Sequence, residues 1–550
     1  MRIPLERHDT VVSVLREASR VNADLEAYIE PAGERERRAL TFAQWDRAAE
    51  GVAGYLARRG VTKGDVVCLL LPSCIDYAVL YAALQRLGAI TSGINPRMGA
   101  AEVASIVDRT SPVLVVADPE AAIPPRGSTV DVVGRAEIAA EWNGAPPQGW
   151  PDLAKNDPVA VVWTSGTTGR PKGAVFDHAN LAAVARGTDA LSQPGDRRLS
   201  PLPFAHVGYM TRTWDEIAHA VTTIITPTPW RADDAVRIME RERVTVAQGV
   251  PTQWALMLAS EALSHADVSS LRVAGTGAAR MTASLVGEVR RRFGVPVVVR
   301  YTSTEASLGT GTALTAPDEE VASTVGRPVA GVELAVVDDD GSPVAAGSVG
   351  RVQLRSPAVM RGYWGGGPGR GRPLRALLDD DATASVLSSD GWLTTGDFGL
   401  ITPEGNLQLS GRAHERYIRG GYNVYPAEVE EALAKHASVA RAAVVGVPDE
   451  VLGEIGVAVV VAAEGATPDL AELRAHCAGQ LSDYKTPDAL AVVEELPLTP
   501  MMKVDPVRLG VLAAGAADER RSRLERNRGA GSGMVGSGPR REAPDEKERA

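Results

Sequence analysis

The sequence predicts an α/β fold: a large N-terminal domain of mostly parallel sheets covered by helices plus a β-rich subdomain, followed by a small α+β C-terminal domain. Three observations predict it. Through residues 65–300 short β-branched runs alternate with longer segments of helical period, the pattern of strands buried on both faces under helices. Residues 325–410 change to short strands among many Gly and Pro turns. Beyond them lies a compact alternation of helices and strands, long enough to fold as its own unit. With 550 residues the chain exceeds a single core, since roughly 100 to 200 residues make a domain.

In chain order, "VVCLLL" (66–71) reads as a buried strand, "YAVLYAALQRLG" (77–88) as a helix, and "PVLVVAD" (112–118) and "VAVVWT" (159–164) as further strands. "TTIIT" (222–226), "VTVAQG" (244–249), "LRVAG" (271–275) and "PVVVRY" (296–301) continue the sheets, while "AVRIMERER", "TQWALMLASEAL" and "SLVGEVRRRFG" supply the covering helices. The β-rich part contains "VELAVVD" (332–338), "GRVQLRS" (350–356) and a low-complexity stretch "GGGPGRGRP" (365–373), read as a flexible loop. The C-terminal unit follows as helix "PAEVEEALAKH", strands "ARAAVVGV" and "GVAVVVAA", helix "LAELRAHCAGQL" and strand "ALAVVEEL". Domain boundaries fall at 1–412, 413–516 and 517–550, the last being a tail of mixed charges and "GAGSGMVGSG" expected to be disordered.

Hydrophobic residues make up 44% and charged residues 23%, with a formal net charge of -11. That balance suits a soluble globular protein and speaks against a nucleic-acid partner, which calls for a basic face. Cys68, Cys74 and Cys477 are too few for a disulfide framework. The charged "MRIPLERHDT" lacks the apolar core of a signal peptide, and no run reaches the ~18 apolar residues of a membrane span, so the cytoplasm is the expected location. The sequence sets no oligomeric state.

In parallel sheets, ligands bind beyond the carboxyl ends of the strands, where this chain places "TSGTTGRPKG", "GTGAAR" and "TSTE". The densest signal is "VVWTSGTTGRPKGAVFDH" (161–178). Thr164, Ser165, Thr167 and Thr168 bring hydroxyls, Gly166 and Gly169 allow close backbone approach, and Lys172 brings a positive charge, a set able to wrap a polyphosphate. It is not a G-x-x-x-x-G-K phosphate loop, because Pro171 stands where the second Gly belongs. No G-x-S-x-G elbow and no H-E-x-x-H occur, and Arg280 spoils the near-dinucleotide pattern of "GTGAAR".

This stretch resembles the phosphate-binding signature of the adenylate-forming superfamily of acyl-CoA synthetases, luciferases and adenylation domains of nonribosomal peptide synthetases, and further motifs follow in the family's order. "YTSTE" (301–305) resembles its Y-G-x-T-E motif, implying that Tyr301 stacks on adenine, Thr302 and Thr304 lie by the nucleotide and phosphates, and Glu305 holds Mg²⁺. "GTGAARM" (275–281) is similar to the segment lining the adenine and acyl pockets, which implicates Gly277, Ala278 and Ala279. "LTTGD" (393–397) is similar to Y-x-T-G-D, with Leu393 in place of the aromatic, and puts Asp397 on the ribose hydroxyls; Arg412 in "GRAHERYIRGG" is expected there too. Standing alone, Tyr301 would read as a strand-end tyrosine and Asp397 as a turn cap. His206 in "LPFAHVGYM" resembles the P-x-x-H segment beside the acyl and phosphate sites. "LPLTPMMKVDP" (496–506) resembles the C-terminal catalytic-lysine segment, assigning Lys503, with Met502 where the family has Gly. His414 stands at the hinge where the family has Asp or Lys, so a charge that switches near neutral pH is expected there.

The resemblance implies an ATP-dependent ligase that converts a carboxylic acid to an acyl adenylate with release of pyrophosphate, then passes the acyl group to CoA with release of AMP. It implies that the small domain is mobile, with Lys172, Lys503, Glu305 and His206 sharing catalysis. The run "MTRT" before Trp214 lacks the carboxylate that would pair a substrate ammonium, which points to an acid without an α-amino group, and "YNVYPAEVE", "YKTP" and "LPLTP" most resemble ligases for fatty and related alicyclic or aromatic acids. A carrier protein as acceptor and a non-catalytic nucleotide-binding homologue are the alternatives.

Overall fold

Buried β-branched runs do become parallel strands. The computed structural model describes residues 1–33, 36–119, 130–164, 171–188, 190–412, 417–419, 422–449, 452–478, 480–481, 483–499 and 504–531. It divides into two compact units, Met1–Ser410 and Gly411–Ala550.

Among the described residues the first unit holds a nine-stranded sheet and an eight-stranded sheet. In the nine-stranded sheet, Val297–Tyr301, Val273–Gly277, Val246–Gly249, Arg197–Ser200, Thr222–Ile225 and Glu26–Glu30 run parallel, with antiparallel strands at both edges. In the eight-stranded sheet, Pro158–Thr164, Ile90–Gly93, Val66–Leu70, Leu114–Ala117 and Asp131–Gly134 are parallel, and Lys172–Asp177 extends the sheet antiparallel to Pro158–Thr164. The largest apolar cluster joins one face of each: Tyr28 from the first sheet and Val67 and Leu69 from the second pack with Leu15, Trp45, Leu80 and Leu181 of the intervening helices. The helix Ile75–Leu87 is buried on every side, its mostly apolar surface interrupted only by the buried Asp76, Gln85 and Arg86.

The β-rich stretch does not stay together. Glu333–Val337, Gly350–Arg355, Leu393–Ile401 and Leu407–Arg412 form a four-stranded antiparallel sheet, but Gly362–Trp364 leaves it and pairs with Lys172–Asp177 of the eight-stranded sheet. The loop expected to be flexible is pinned beside that sheet: Gly367 N donates to Arg109 O of the helix Ala100–Thr110 at 3.0 Å, and Arg370 Nε donates at 2.7 Å to Oδ1 of the buried Asp65, just before the strand Val66–Leu70. Composition alone does not reveal an anchor supplied from 300 residues away.

In the second unit, Val439–Asp449 and Gly453–Ala462 form a long hairpin, with Ala489–Val493 parallel to the latter. Tyr417 lies over Gly446 and Gly456; a Cβ at either would come within 2.3 or 2.1 Å of its side chain. The tail expected to be disordered from residue 517 is instead helical as far as Gly531, in the helix Pro506–Gly531. Leu509, Ala513 and Ala517 recur every fourth residue on one buried stripe, and the following Arg, Glu and Leu are good helix formers that extend it. No helix among the described residues is long and apolar enough to cross a membrane.

Candidate active site

The hairpin Pro158–Thr164/Lys172–Asp177 pairs Thr164 directly with Lys172, so these two residues form the mouth of the connecting loop. Ser165, Gly166, Thr167, Thr168 and Gly169 lie outside the described residues, as do His414, Met502 and Lys503. Beside the mouth, Gly362–Trp364 pairs with Lys172–Asp177 and sets Tyr363 opposite Ala174. The Lys172 ammonium lies 5.0 Å from the centre of the Tyr363 ring, a cation–π contact. On its other side the Tyr363 hydroxyl donates to Glu305 Oε1 at 2.8 Å. Met360 N also donates to the Glu305 carbonyl at 2.8 Å, so the Glu305 backbone and side chain are both held by the segment around Tyr363. Burial, followed by the Glu305 carboxylate, pushes the Tyr363 phenol well above its ordinary pKa, which keeps it a proton donor at all working pH values.

Four residues before Glu305, Tyr301 closes the strand Val297–Tyr301 and its hydroxyl donates to Asp397 Oδ2 at 2.5 Å. Asp397 belongs to Leu393–Ile401 of the four-stranded sheet and is buried, its backbone N bonded to Thr395 Oγ1 at 3.2 Å. Three sheets therefore meet here: one brings Lys172 and Tyr363, one Tyr301 with Glu305 in the turn that follows it, one Asp397. The neighbouring strand ends in Gly277, where a Cβ would sit 2.6 Å from the Arg300 carbonyl, so only glycine lets the two backbones approach. Ala278 follows in the left-handed region at φ 66° and, with Ala279, is exposed. Thr302 is exposed and bonds the Ser303 carbonyl, and Thr304 is half-buried. His206 heads the one-turn helix Val207–Met210, its Nδ1 accepting from Gly208 N at 3.2 Å. Arg412 closes the strand Leu407–Arg412.

The sequence reading passed over Tyr363. Its only signal is an aromatic in the short strand "GYW", and its importance comes from partners 191 and 58 residues away in sequence, Lys172 and Glu305.

A cation, a carboxylate and an aromatic ring gather here at the strand ends of a mixed α/β fold, and the chain as a whole is that of an adenylate-forming enzyme. The chain belongs to the AMP-binding enzyme family: that family's model matches residues 15–364, and the model of the AMP-binding enzyme C-terminal domain matches 428–503. It is 33% identical over 488 residues to the indoleacetate–CoA ligase of Aromatoleum aromaticum, covering 85% of this chain and 92% of that one. A long-chain-fatty-acid–CoA ligase of Mycobacterium tuberculosis is 31% identical over 504 residues, covering 89% and 96%. The ATP-bound MatB structure from Rhodopseudomonas palustris superposes with a TM-score of 0.79 at 28% identity, covering 91% of this chain and 98% of the other. The named relatives are CoA ligases, consistent with AMP-forming acid–thiol ligase activity.

Proposed function

We propose that the protein is an ATP-dependent acid–CoA ligase that activates a fatty or related alicyclic or aromatic acid as its acyl adenylate and transfers the acyl group to CoA. The observation that carries this reading is the line Lys172–Tyr363–Glu305 beside the Tyr301–Asp397 pair. In the first step a carboxylate oxygen of the acid attacks the α-phosphorus of ATP and pyrophosphate leaves. In the second the CoA sulfur attacks the acyl carbonyl and AMP leaves. Negative charge grows on phosphate oxygens in the first step, and positioned cations lower its cost.

In this reading Lys172 and the hydroxyls of Thr164, Ser165, Thr167 and Thr168, with Gly166 and Gly169, hold the phosphates. The Tyr301 ring stacks on adenine beside Gly277, Ala278 and Ala279. Asp397 accepts from the ribose hydroxyls, with Arg412 assisting, while Thr302 and Thr304 line the nucleotide. His206 steers the acid carboxylate, and Lys503 comes from the mobile second unit for the adenylation step. No group of three or more His, Cys, Asp or Glu among the described residues is arranged to hold a metal. A magnesium ion needs only one carboxylate when phosphates and water complete its octahedron, and the Tyr363 bond engages Oε1 of Glu305 and leaves Oε2 for it. When bound, Mg²⁺ supplies charge neutralisation of the phosphates.

The test is pyrophosphate release and mass detection of thioester across a panel of acids, with ATP and CoA. Thioester and AMP from one class of acid support the reading; nucleotide binding without turnover of any acid refutes it.

A further inference from the structure

The ends of the strands beside Tyr301 enclose a small cavity of about 60 Å³, lined by Thr188, Leu191, Arg212, Ser307, Leu308 and Gly309 among others. Its lining mixes apolar and polar groups. Leu191 and Leu308 give apolar walls, but two polar groups are left unmatched. The Ser307 hydroxyl is buried without a hydrogen-bond partner, and its residue holds a left-handed backbone at φ 57°. Buried orphan polar atoms and non-glycine residues held at positive φ concentrate at ligand sites.

The second group is Arg212, whose buried Nε has no partner. Its Nη2 donates to Asp215 Oδ2 at 2.9 Å and Ser192 Oγ at 3.2 Å. Asp215 is itself saturated: Oδ1 accepts from Thr188 at 2.8 Å and lies 3.0 Å from His219 Nδ1, and Oδ2 also accepts from Ser192 at 2.7 Å. Burial would raise its pKa, yet Arg212, His219 and Arg198 outweigh that and hold the carboxylate ionised. The charge of Arg212 is thus already balanced, while part of its fork of N–H donors is not. Such a donor suits a neutral oxygen better than a second full anion, whose desolvation would go uncompensated.

We infer that the juxtaposition of Arg212 and Ser307 in this cavity is a recognition subsite for a neutral oxygen, a keto or hydroxyl group, on the distal part of the acid. This deepens the proposed ligase reading and rests on it. The acid is then one that carries an oxygen on the part that reaches this cavity. A site built to hydrogen-bond an oxygen discriminates strongly against the analogue that lacks it, because its own donors are then left unpaired.

The experiment measures kcat/KM for pyrophosphate release with cyclohexanecarboxylic acid, its para-keto derivative and the corresponding para-dicarboxylic acid. The keto acid is expected to be preferred over the parent by on the order of tenfold or more. Arg212→Met should bring keto and parent acids to within about threefold of each other, by lowering the keto acid rather than the parent. Ser307→Ala, which leaves the Asp215 network untouched, should reduce the preference in part, so the idea stays testable even if Arg212→Met does not fold. Equal kcat/KM for keto and parent acids in the native enzyme, or preference for the dicarboxylic acid, overturns the subsite while leaving the ligase reading in place. Absence of pyrophosphate release with every acid strikes the ligase reading itself.

Discussion

Replacing Tyr363 by phenylalanine isolates one atom of the site. The ring remains under Lys172, 5.0 Å from its ammonium, so the cation–π contact survives. What disappears is the 2.8 Å hydrogen bond to Glu305 Oε1. A hydrogen bond to a charged group is worth about 1.5–3 kcal/mol, and each 1.36 kcal/mol is tenfold in rate, so adenylate formation should slow roughly tenfold to a hundredfold if that bond sets the position of the carboxylate. The loss should appear as a higher magnesium requirement, because a Glu305 side chain freed from Tyr363 samples several rotamers. The pH profile should keep its shape, since the phenol is pushed far above the working range and never titrates there. The assay is pyrophosphate release against magnesium concentration, run beside thioester formation from a supplied acyl adenylate, which should change by no more than about twofold. Equal losses in the two half-reactions, or native adenylation kinetics in Tyr363→Phe, would refute the claim that Tyr363 positions Glu305 for the first step.

Four further outcomes are expected. Asp397→Asn keeps an acceptor for Tyr301 but loses the charge, and should raise the KM for ATP on the order of tenfold in steady-state assays. Lys503→Ala should slow adenylate formation by about 10² or more while thioester formation from acyl adenylate continues, as single-turnover measurements of each half-reaction would show. Gly309→Ala places a Cβ 2.2 Å from the Tyr301 carbonyl, and should cost about 1–3 kcal/mol in urea unfolding along with nucleotide affinity. Burial lowers His178 from 6.5 to about 4, and its neutral Nδ1 accepts from Val11 N. The unfolded chain therefore binds the proton first as pH falls, so this stabilisation is complete above pH 6.5 and lost between 6.5 and 4, by roughly 3 kcal/mol. His178→Gln should show a shallower fall in unfolding free energy over that window.

Segments whose structure depends on local pattern were legible in the sequence; those whose structure depends on distant partners were not. The strands Val66–Leu70 and Val297–Tyr301 and the helix Ile75–Leu87 follow from apolar runs of the right length. "GGGPGRGRP" has the composition of a free loop, and nothing local announces that Arg370 finds Asp65. Gly362–Trp364 sits in a β-rich stretch, yet its pairing with Lys172–Asp177 is set by sheet topology. The same distinction divides the site. Tyr301, Glu305 and Lys172 stand in short dense motifs, whereas Tyr363 and Arg212 acquire their chemistry only from what packs around them. Arg212 in "MTRT" was informative in the sequence for the carboxylate missing beside it; the cavity makes it informative for its own unpaired Nε.

The register Thr164↔Lys172 also bears on why the proposed chemistry draws on so many separate cations. In a G-x-x-x-x-G-K loop the chain runs from a strand into a helix, and the helix N-terminus aims its partial positive charge and free N–H groups at the phosphates. Here the chain leaves one strand at Thr164 and has entered an antiparallel partner by Lys172, so residues 165–170 connect strand to strand and no helix follows directly behind them. Among the described residues no helix begins directly after this loop to add a macrodipole contribution, which is about 0.3–1 kcal/mol per charge and up to ~2 where partly buried. Charge that grows during adenylation has to be met by side chains instead. Lys172 sits at the loop mouth with its ammonium over Tyr363, and Tyr363 in turn grips Glu305. On the proposed reading a magnesium ion at Glu305 and the ammonium of Lys503 supply the rest. A site assembled this way depends on each contributor more steeply than a dipole-backed loop does, so removing Lys172 as well as Lys503 should cost more than either alone and less than their product. Adenylation rates of Lys172→Ala, Lys503→Ala and the double variant measure that coupling, and strictly multiplicative losses would mean that the two lysines act on the phosphates independently.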